Sequence, residues 1–371
     1  MRIAQIAPLI ESVPPRLYGG TERVVSYLTE ELVRLGHQVT LFASGDSVTS
    51  ARLVASVPKA LRLQPGPRDP LPCYMQLLDQ VRAQADQFDI LHFHIDHLHF
   101  PLFRPIAGRT LTTLHGRQDL PDLPALYAWF RDMPLVSVSD AQRRPVPDAN
   151  VVAIVPHGLP VDLHRFVARP RGGYLAFLGR ISPEKRPDRA IAIARRAGIP
   201  LRIAAKVDRA DTAYFHEQIE PLLAGPGVAY VGEIDERQKG DFLGHALALL
   251  FPVDWPEPFG LAMIEAMACG TPVLAFRCGS VPEVVEEGVT GLIVETVEEA
   301  VSALPRLLAF DRAGVRRRFE QRFSAQRMAA DYLCVYRSLL RAQSRSDPHA
   351  GEHPVQPTDG GGDDHPRLKV A

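Results

Sequence analysis

The chain has 371 residues, of which 46% are hydrophobic and 23% charged, a composition typical of folded globular proteins. Its formal net charge is -1, which excludes a global attraction to nucleic acid or to an anionic membrane and leaves only local basic patches. A chain of this length exceeds a usual single core, so it predicts two domains.

The chain shows no sequence signal for secretion or membrane insertion. The first residues, MRIAQIAPLI, lack the long apolar core and the cleavage site of a signal peptide. Nowhere do about 18 consecutive apolar residues predict a spanning helix. The four cysteines include no C-x-x-C pair, which indicates free thiols. These features predict a cytoplasmic protein and leave peripheral contact with the inner face of the membrane open.

The first half of the chain begins with a strand, a glycine loop, a helix and a second strand. The apolar strand RIAQIAPL precedes the loop YGG, and residues 21–35 repeat apolar side chains with the period of one helical face. Gly36 ends this helix before the strand QVTLFAS. Such a βαβ unit predicts a parallel sheet, which the strands FDILHFH, RTLTTLH and PLVSVSD extend.

The second half repeats this order after a connection near HGLPVDLHRFVARPRGG. It contains the strand GYLAFLG, the loop RISPEKRP, the helix DRAIAIARRAG and the strands IPLRIAAK, VAYVGE, ALALLFPV and TPVLAF. We therefore predict an α/β fold of two doubly wound, Rossmann-like domains, residues 1–165 and 166–325, facing a central cleft. Residues 326–343 predict a closing helix that packs back on the first domain. Residues 344–371, rich in Pro, Gly and Asp, predict a disordered tail.

Two glutamates in the segment DWPEPFGLAMIEAMACGTPVLAF are candidates for the site. Glu257 precedes a predicted helix over residues 260–269, whose first turn offers free backbone N–H groups to an anion. Glu265 lies inside that helix, among apolar residues on every side. A buried, unpaired carboxylate costs several kcal/mol, so Glu265 is expected to have a partner. That partner is either a ligand diol or a buried arginine or backbone amide.

Two cations follow a predicted strand in FLGRISPEKRPD. Arg180 and Lys185 lie in the loop between this strand and the next helix, where they can neutralise a diphosphate. Each cation taken alone is more often a solvated surface charge. Their common position at the carboxyl end of a strand favours the binding interpretation.

The histidines of HFHIDHLH do not predict a metal site. His92, His94, His97 and His99 match none of the common zinc spacings, and no cysteine or glutamate lies close to them in sequence. Packed or strand-end histidines are the favoured interpretation. The chain also contains no D-x-D motif.

At this point the chain resembles a known family. FLGRISPEKRPD together with PVDWPEPFGLAMIEAMACGTPVLAFRCGSVPEVVEEGVTGLIV is similar to the retaining glycosyltransferases of family 4, which have the GT-B fold. The segments GGTERVVSYLTEELVRLGHQVTLFAS and VPHGLPVDLHRF fit the same family. The resemblance covers nearly all of residues 1–342.

The resemblance implies roles for individual residues. Glu257 would contact hydroxyls of the donor sugar, Glu265 the ribose hydroxyls, and Arg180 and Lys185 the diphosphate. The remaining implied donor contacts are the N-terminal glycine loop, the strand end of the first domain, the backbone near the nucleobase and the helix start: Gly19, Gly20, His115, Ile234, Phe259, Gly260 and Leu261. A plain turn before a helix is an equal interpretation of the two glycines of the loop. A hinge role is an equal interpretation of His157 and Gly158.

The implied reaction is transfer of a hexosyl group from a nucleotide-diphosphate sugar to an acceptor hydroxyl. The acceptor would be a glycan, a lipid-linked molecule or a small molecule, and neither a metal nor another cofactor would be required. Tyr127, Trp129 and Phe130 in a first-domain segment either stack on the acceptor or form the core of a helix. A sugar-nucleotide epimerase or hydrolase of the same fold and a non-catalytic nucleotide-sugar binder are alternatives. An NAD-dependent oxidoreductase is disfavoured because no G-x-G-x-x-G follows any predicted strand.

Overall fold

The computed structural model describes residues 1–62, 64–65 and 69–346. The first part of the chain contributes the strands β1 (Arg2–Ile6), β2 (Gln38–Ser44), β3 (Arg52–Val57), β4 (Ile90–Phe93), β5 (Thr110–Thr113), β6 (Leu135–Ser137) and β7 (Val151–Ile154). Its helices are α1 (Gly20–Arg34), α2 (Leu71–Ala83), α3 (Phe100–Phe103), α4 (Leu123–Trp129) and α5 (Asp140–Arg143), with 3₁₀ turns at Ala85–Gln87 and Arg104–Arg109. The strands form one parallel sheet in the order β3-β2-β1-β4-β5-β6-β7.

The second part builds another parallel sheet. Its strands are β8 (Leu175–Ile181), β9 (Leu201–Val207), β10 (Val228–Gly232), β11 (Ala248–Phe251), β12 (Val273–Phe276) and β13 (Gly291–Val294), in the order β10-β9-β8-β11-β12-β13. Its helices are α6 (Pro187–Ala197), α7 (Thr212–Tyr214), α8 (Glu220–Leu223), α9 (Glu236–Gly244), α10 (Leu261–Ala268), α11 (Val281–Val284), α12 (Val297–Leu307), α13 (Arg312–Arg322) and α14 (Ala325–Ser346). Phe215–Ile219 is a π-helical turn, and Pro183–Lys185 and Arg209–Asp211 are 3₁₀ turns.

Both strand orders reverse direction beside the first strand of the sheet, between β1 and β4 and between β8 and β11. This reversal is the switch point of a doubly wound sheet, and ligands bind outside the carboxyl ends of the strands there. The prediction of an α/β fold with two Rossmann-like sheets is confirmed. The loops after β1, β4, β8 and β11 therefore supply the candidate site.

The apolar patterns of the sequence form the cores of these sheets. The central strands β1, β4, β11 and β12 are buried along almost their whole length, as strands covered by helices on both faces must be. Helix α1 turns Val24, Leu28 and Leu32 into the core at the spacing of one helical face. Each such fully buried aliphatic side chain contributes about 1.5–3 kcal/mol by its removal from water.

The chain crosses between the two sheets twice at neighbouring positions. Leu159 forms a β-bridge with Ser324, and a Cβ on Gly158 would lie 2.3 Å from the Ser324 carbonyl oxygen. Only glycine fits at that close approach. Helix α14 then returns to the first domain, where the Tyr336 hydroxyl accepts a hydrogen bond from Gln5 of β1. The helix continues to Ser346, three residues into the segment for which the sequence predicts a tail. Residues 347–371, the rest of that segment, lie outside the described residues.

Three strands of the structure are missing from the sequence analysis: β3, β7 and β13. All three lie at a sheet edge, where one side of the strand has no partner strand among the described residues. Strand β7 alternates between half-buried and exposed positions, β3 has one fully buried residue, Val57, and β13 has only four residues, so none shows a long apolar run. Among the described residues, no helix is both long and apolar enough to cross a membrane.

Candidate active site

A cleft of about 480 Å³ lies between the two domains at the carboxyl ends of both sheets. All of the residues that the sequence analysis assigns to the site line this cleft: Gly19, Gly20, His115, Arg180, Lys185, Ile234, Glu257, Phe259, Gly260, Leu261 and Glu265. The structure thus brings residues from both halves of the chain around one space.

Two helix N-termini lie close together at the cleft. Helix α1 begins at Gly20 and helix α10 at Leu261, and the N-cap residue before each start is a glycine, which has no side chain to cap it. In the first turn of α1 the Glu22 carboxyl accepts from its own backbone N–H. A Cβ added to Gly20 would lie 3.4 Å from Leu261 Cδ1, so the two starts are close together. The first backbone N–H groups of a helix have no partner within it, and the helix dipole is positive at this end. The pair of helix starts can therefore bind an anion between them.

Gly260 and Gly279 allow the loop before α10 to adopt its shape. Gly260 has φ 80°, and a Cβ there would lie 2.8 Å from Cζ of Phe251. Gly279 has φ 52°, and a Cβ there would lie 2.4 Å from the backbone nitrogen of Glu257. From the first domain, the hydroxyl of Ser139 donates to the Pro258 carbonyl over 2.7 Å. The backbone that carries Glu257 is consequently held from both domains.

Glu257 is fixed by two donors. The indole Nε1 of Trp255 donates to Glu257 Oε2 over 2.7 Å, and the ammonium of Lys185 forms an ion pair with the same oxygen. Lys185 Nζ also lies 4.8 Å from the centroid of the Trp255 ring, a cation–π distance. Because both donors use Oε2, Oε1 can accept a hydrogen bond from a ligand hydroxyl. The sequence predicted Lys185 as a cation that binds a ligand, whereas in the structure it forms an ion pair with Glu257.

Arg180 is surrounded by carboxylates. It projects from β8 and forms an ion pair with Glu184, and its guanidinium lies 3.6 Å from oxygens of Asp208 and of Asp211. Burial lowers the pKa of Arg180, but the charge of Glu184 and its other neighbours outweighs burial and raises the pKa overall. Arg180 thus remains charged, and three acidic groups hold it at the edge of the cleft.

Glu265 has a partner within the chain. Its side chain is 4% exposed, and Lys239 Nζ of α9 donates to Glu265 Oε1 over 2.6 Å. Burial raises the pKa of Glu265, but Lys239, His164 and Arg23 together outweigh burial and the pKa is lowered overall. The sequence predicted a ligand diol, a buried arginine or a backbone amide as its partner, whereas the nearest partner in the structure is a lysine. Glu265 and Lys239 both line the cleft, so a ligand can reach the pair.

A cluster beside Glu265 and Lys239 contains residue types that bind metals, but its negative charge is already balanced by cations. His164, Glu236 and Glu265 offer ligand atoms within 4.8 Å of one another. However, Lys239 contacts both carboxylates, and Arg23 forms an ion pair with Glu236. Burial lowers the pKa of His164 to about 4, so this imidazole is neutral. Two carboxylates are already balanced by two cations, and the cluster does not favour a divalent ion.

The histidines of HFHIDHLH are mostly packed inside the first domain. His92 contacts the hydroxyls of Tyr336 and Thr113 at 2.8 and 2.7 Å. The ring of His99 stacks on Phe93 with centroids 3.7 Å apart. His94 Nδ1 lies 2.9 Å from Nε2 of His115. These contacts match the packed interpretation.

His115 reaches the cleft at the end of the strand β5. Its ring stacks on His157 with centroids 5.3 Å apart, and His157 in turn packs edge-on against Phe259 at 4.9 Å. Burial lowers the pKa of His115 to about 3, so the side chain is neutral. His157 is buried in this stack, which joins the first domain to the start of α10.

Several charged residues of the cleft wall are not among those predicted from the sequence. Glu11, Glu22 and Arg62 line it from the first domain. Burial raises the pKa of Glu22 to about 7, and Arg62 forms an ion pair with Glu11. Glu22 follows the glycine loop by two positions, and this spacing is the signal that could have identified it. Glu11 and Arg62 carry no motif and meet only in the folded chain.

The three aromatic residues proposed for the acceptor separate into different environments. Tyr127 is buried, and its hydroxyl donates to Gln118 Oε1 over 2.7 Å. Phe130 packs against Phe100 with centroids 5.5 Å apart. Trp129 is 72% exposed. Tyr127 and Phe130 therefore belong to the helix core, and neither they nor Trp129 lines the cleft among the residues that the structure describes.

Known families match both halves of the chain. Residues 18–152 match the model described as Glycosyltransferase Family 4, and residues 164–322 match the model described as Glycosyl transferases group 1. The two matches meet at the crossover between the sheets. They include the glycine loop, both cations and both glutamates of the cleft.

Individual relatives agree with these matches. Alpha-maltose-1-phosphate synthase of Mycolicibacterium smegmatis is 31% identical over 216 residues, which are 53% of this chain and 52% of the relative. The chain spans about half the length of the curated relatives it matches.

Solved structures resemble the whole fold. Sucrose-phosphate synthase of Thermosynechococcus elongatus has a TM-score of 0.75 at 22% identity, covering 92% of this chain and 99% of that one. HepE of Anabaena, solved in complex with UDP and glucose, has a TM-score of 0.68 at 17% identity, covering 91% and 100%. At these identities the likeness shows the two-domain fold alone.

Proposed function

The chain belongs to the family 4 type of glycosyltransferases, and from this premise we propose that it transfers a hexosyl group from a nucleotide-diphosphate sugar to an acceptor hydroxyl, with retention at the anomeric carbon. The observation that carries the proposal is the pair of helix starts at Gly20 and Leu261, which follow glycine N-caps and lie close together beside Lys185 and Arg180 in one cleft. A diphosphate has the size and charge for that position.

The remaining polar groups fit the other parts of such a donor. Glu265 lies on the cleft side of α10, about one turn after the anion site, where a ribose would follow the diphosphate. Its Oε1 is occupied by Lys239, and its second oxygen can accept from a ribose hydroxyl. Glu257 has Oε1 free for a sugar hydroxyl on the other side of the diphosphate. The complex of the related fold HepE with UDP and glucose supports this class of donor.

The proposed reaction takes place on one face of the sugar. The bond between the anomeric carbon and the diphosphate oxygen breaks, and the acceptor oxygen forms the new glycosidic bond from the side that the diphosphate leaves. The acceptor proton passes to the departing phosphate. Lys185, Arg180 and the two helix starts would stabilise the charge that develops on the leaving group, which is the largest electrostatic contribution available in this cleft. Positioning of both reactants between the domains supplies the rest.

A ligand screen tests the donor assignment. Unfolding of the protein would be followed by thermal shift with UDP-, GDP-, ADP- and dTDP-sugars, and with NAD as a control. We expect stabilisation by one nucleotide-sugar, of about 2.7 kcal/mol at roughly 100 times its Kd, and, in a separate assay, transfer of its hexosyl group to an acceptor. Stabilisation by NAD alone would contradict the proposal. Rapid conversion of the nucleotide-sugar to an epimer without any acceptor would identify an epimerase instead.

The proposed transfer needs no divalent metal. Lys185, Arg180 and the helix starts provide positive charge at the diphosphate, and the nearby cluster of His164, Glu236 and Glu265 is already neutralised by cations. We therefore expect full activity after exhaustive treatment with EDTA. The measurement is the initial rate of transfer with and without chelator, and with magnesium or manganese added back. Complete loss in chelator with recovery on addition of metal would refute metal independence.

A further inference from the structure

A chain of buried hydrogen bonds leads from the closing helix to His115. The Tyr336 hydroxyl of α14 accepts from Gln5 Nε2 over 3.2 Å, and Gln5 Oε1 lies 2.7 Å from His94 Nε2. His94 Nδ1 in turn lies 2.9 Å from Nε2 of His115. Gln5, His94 and Tyr336 are all buried. Three secondary-structure elements, β1, the end of β4 and α14, are thereby joined to one imidazole at the cleft.

The direction of these bonds determines which nitrogens carry hydrogen. An amide oxygen can only accept, so Gln5 Oε1 requires a hydrogen on His94 Nε2. A neutral imidazole has one N–H, and His94 Nδ1 must therefore accept from Nε2–H of His115. Nδ1 of His115 is then left as a bare acceptor. Burial holds the pKa of His94 well below its ordinary value and that of His115 at about 3, so neither ring gains a second proton near neutral pH.

The plane of the His115 ring is fixed as well. It stacks on His157 with an interplanar angle of 20°, and His157 is packed against Phe259 next to the start of α10. The ring therefore has a defined tautomer, charge and orientation at the wall where the donor sugar would lie. An acceptor nitrogen in this environment stabilises a sugar hydroxyl, which donates a hydrogen bond to it. It repels a carboxylate, because an ionised carboxylate has no hydrogen to donate and the ring does not become protonated to balance its charge.

We propose that Gln5, His94 and Tyr336 are positioning residues that hold His115 as an acceptor-only imidazole, so that the site takes neutral hexosyl donors and rejects hexuronosyl donors. This inference rests on the proposed function, since it assumes a nucleotide-sugar in the cleft. His94 touches no part of the ligand and acts through His115. The donor class is thus set from inside the first domain.

Nitrogen NMR of the ligand-free protein tests the tautomer without any donor. The full-length chain would be labelled with ¹⁵N-histidine, and the His115 signals assigned by their disappearance in His115→Gln. We expect a protonated Nε2 and an unprotonated Nδ1, and a mixture of tautomers in His94→Leu. His94→Asn offers an amide oxygen to the same Nε2–H and is expected to restore the native pattern. A proton on Nδ1 of His115 in the unmodified protein would overturn the proposal.

Donor discrimination tests the consequence. Binding of UDP-glucose and UDP-glucuronate, or of the same pair on the base that the ligand screen selects, would be measured by calorimetry, with the free nucleotide as reference. We expect the unmodified protein to prefer the glucose donor by about 100-fold or more, and His94→Leu to lose at least tenfold of that preference with unchanged affinity for the nucleotide. Tyr174→Phe, which removes a buried hydroxyl of the second domain that donates to the Phe242 carbonyl, is the matched control and should discriminate normally.

The outcomes separate the two proposals. Equal discrimination in His94→Leu and in the unmodified protein would refute the positioning role even where donors bind well. Binding of no nucleotide-sugar at all would contradict the proposed function, while the NMR experiment still decides the tautomer. Rescue by His94→Asn shows that an acceptor at this place, and not the bulk of an imidazole, is what His115 requires.

Discussion

Replacement of Lys185 by alanine is expected to lower kcat by about 100- to 1,000-fold, the usual effect of removing one group that stabilises developing charge in an enclosed site. Lys185 Nζ lies in the cleft, bound to Glu257 and stacked on the Trp255 ring, so it is ordered before a ligand arrives. Its positive charge can then be shared between Glu257 and a departing diphosphate. Affinity for the intact donor should change less, because the two helix starts and Arg180 still contact the diphosphate.

The measurement is steady-state kinetics together with calorimetric Kd values for the donor. Lys59→Ala is the matched control, since Lys59 is an exposed lysine of the first domain outside the cleft, and its removal should leave both quantities unchanged. Lys185→Arg keeps the charge but not the compact ammonium that fits against Trp255, so an intermediate rate is expected. A normal kcat in Lys185→Ala, with donor transfer intact, would remove this residue from the proposed mechanism.

The positions of the site residues could be predicted because each belongs to a local pattern. Gly19 and Gly20 precede a helix, Lys185 follows a strand, and Glu257 and Glu265 flank a helix start. In a doubly wound sheet these local positions are all carboxyl ends of strands, and the topology itself brings them together. Once the strand order is known, these local motifs therefore predict which residues line the cleft.

The partners of these residues could not be predicted in the same way. Lys239 lies 26 positions before Glu265, and Arg23 lies in the other domain from Glu236. Neither Lys239 nor Arg23 belongs to a sequence pattern that distinguishes it from an ordinary surface cation on a helix. The ion pair forms because α9 packs beside α10 and buries both charges, which is a consequence of tertiary packing. The same holds for Gln5 and Tyr336, which are 331 positions apart.

Edge strands are another part of the fold that the apolar pattern of the sequence does not predict. The central strands are recognised by continuous apolar runs, whereas β3 has one fully buried residue, Val57, and β7 has none. A run of four to six residues with so few buried positions gives only a weak strand signal when read alone. These strands nevertheless add no residue to the cleft, so their absence from the prediction leaves the site unaffected.

The pairing of Glu265 with Lys239 leads to the second large effect. Glu265→Ala leaves Lys239 buried without its nearest carboxylate, and removal of one partner of a buried pair costs about 3–5 kcal/mol. Because Glu236 lies 3.5 Å from Lys239 and can take over part of its charge, we expect a loss near the lower end, about 3 kcal/mol of unfolding free energy. Chemical denaturation of the ligand-free protein measures it. Glu298→Ala, which breaks the exposed ion pair with Arg196, should cause no measurable change.

A double variant separates the structural role of Glu265 from its proposed role in binding. Glu265→Leu combined with Lys239→Met replaces both charges by apolar groups of similar size, and this exchange is often neutral for stability. We expect the double variant to regain most of the unfolding free energy that Glu265→Ala loses, yet to bind the nucleotide as weakly as the single variant does. If nucleotide affinity returned together with stability, the carboxylate would serve only to neutralise Lys239. Because an apolar pair between α9 and α10 would suffice for stability, a polar pair that lines the cleft is better explained by the ribose hydroxyls that it can bind.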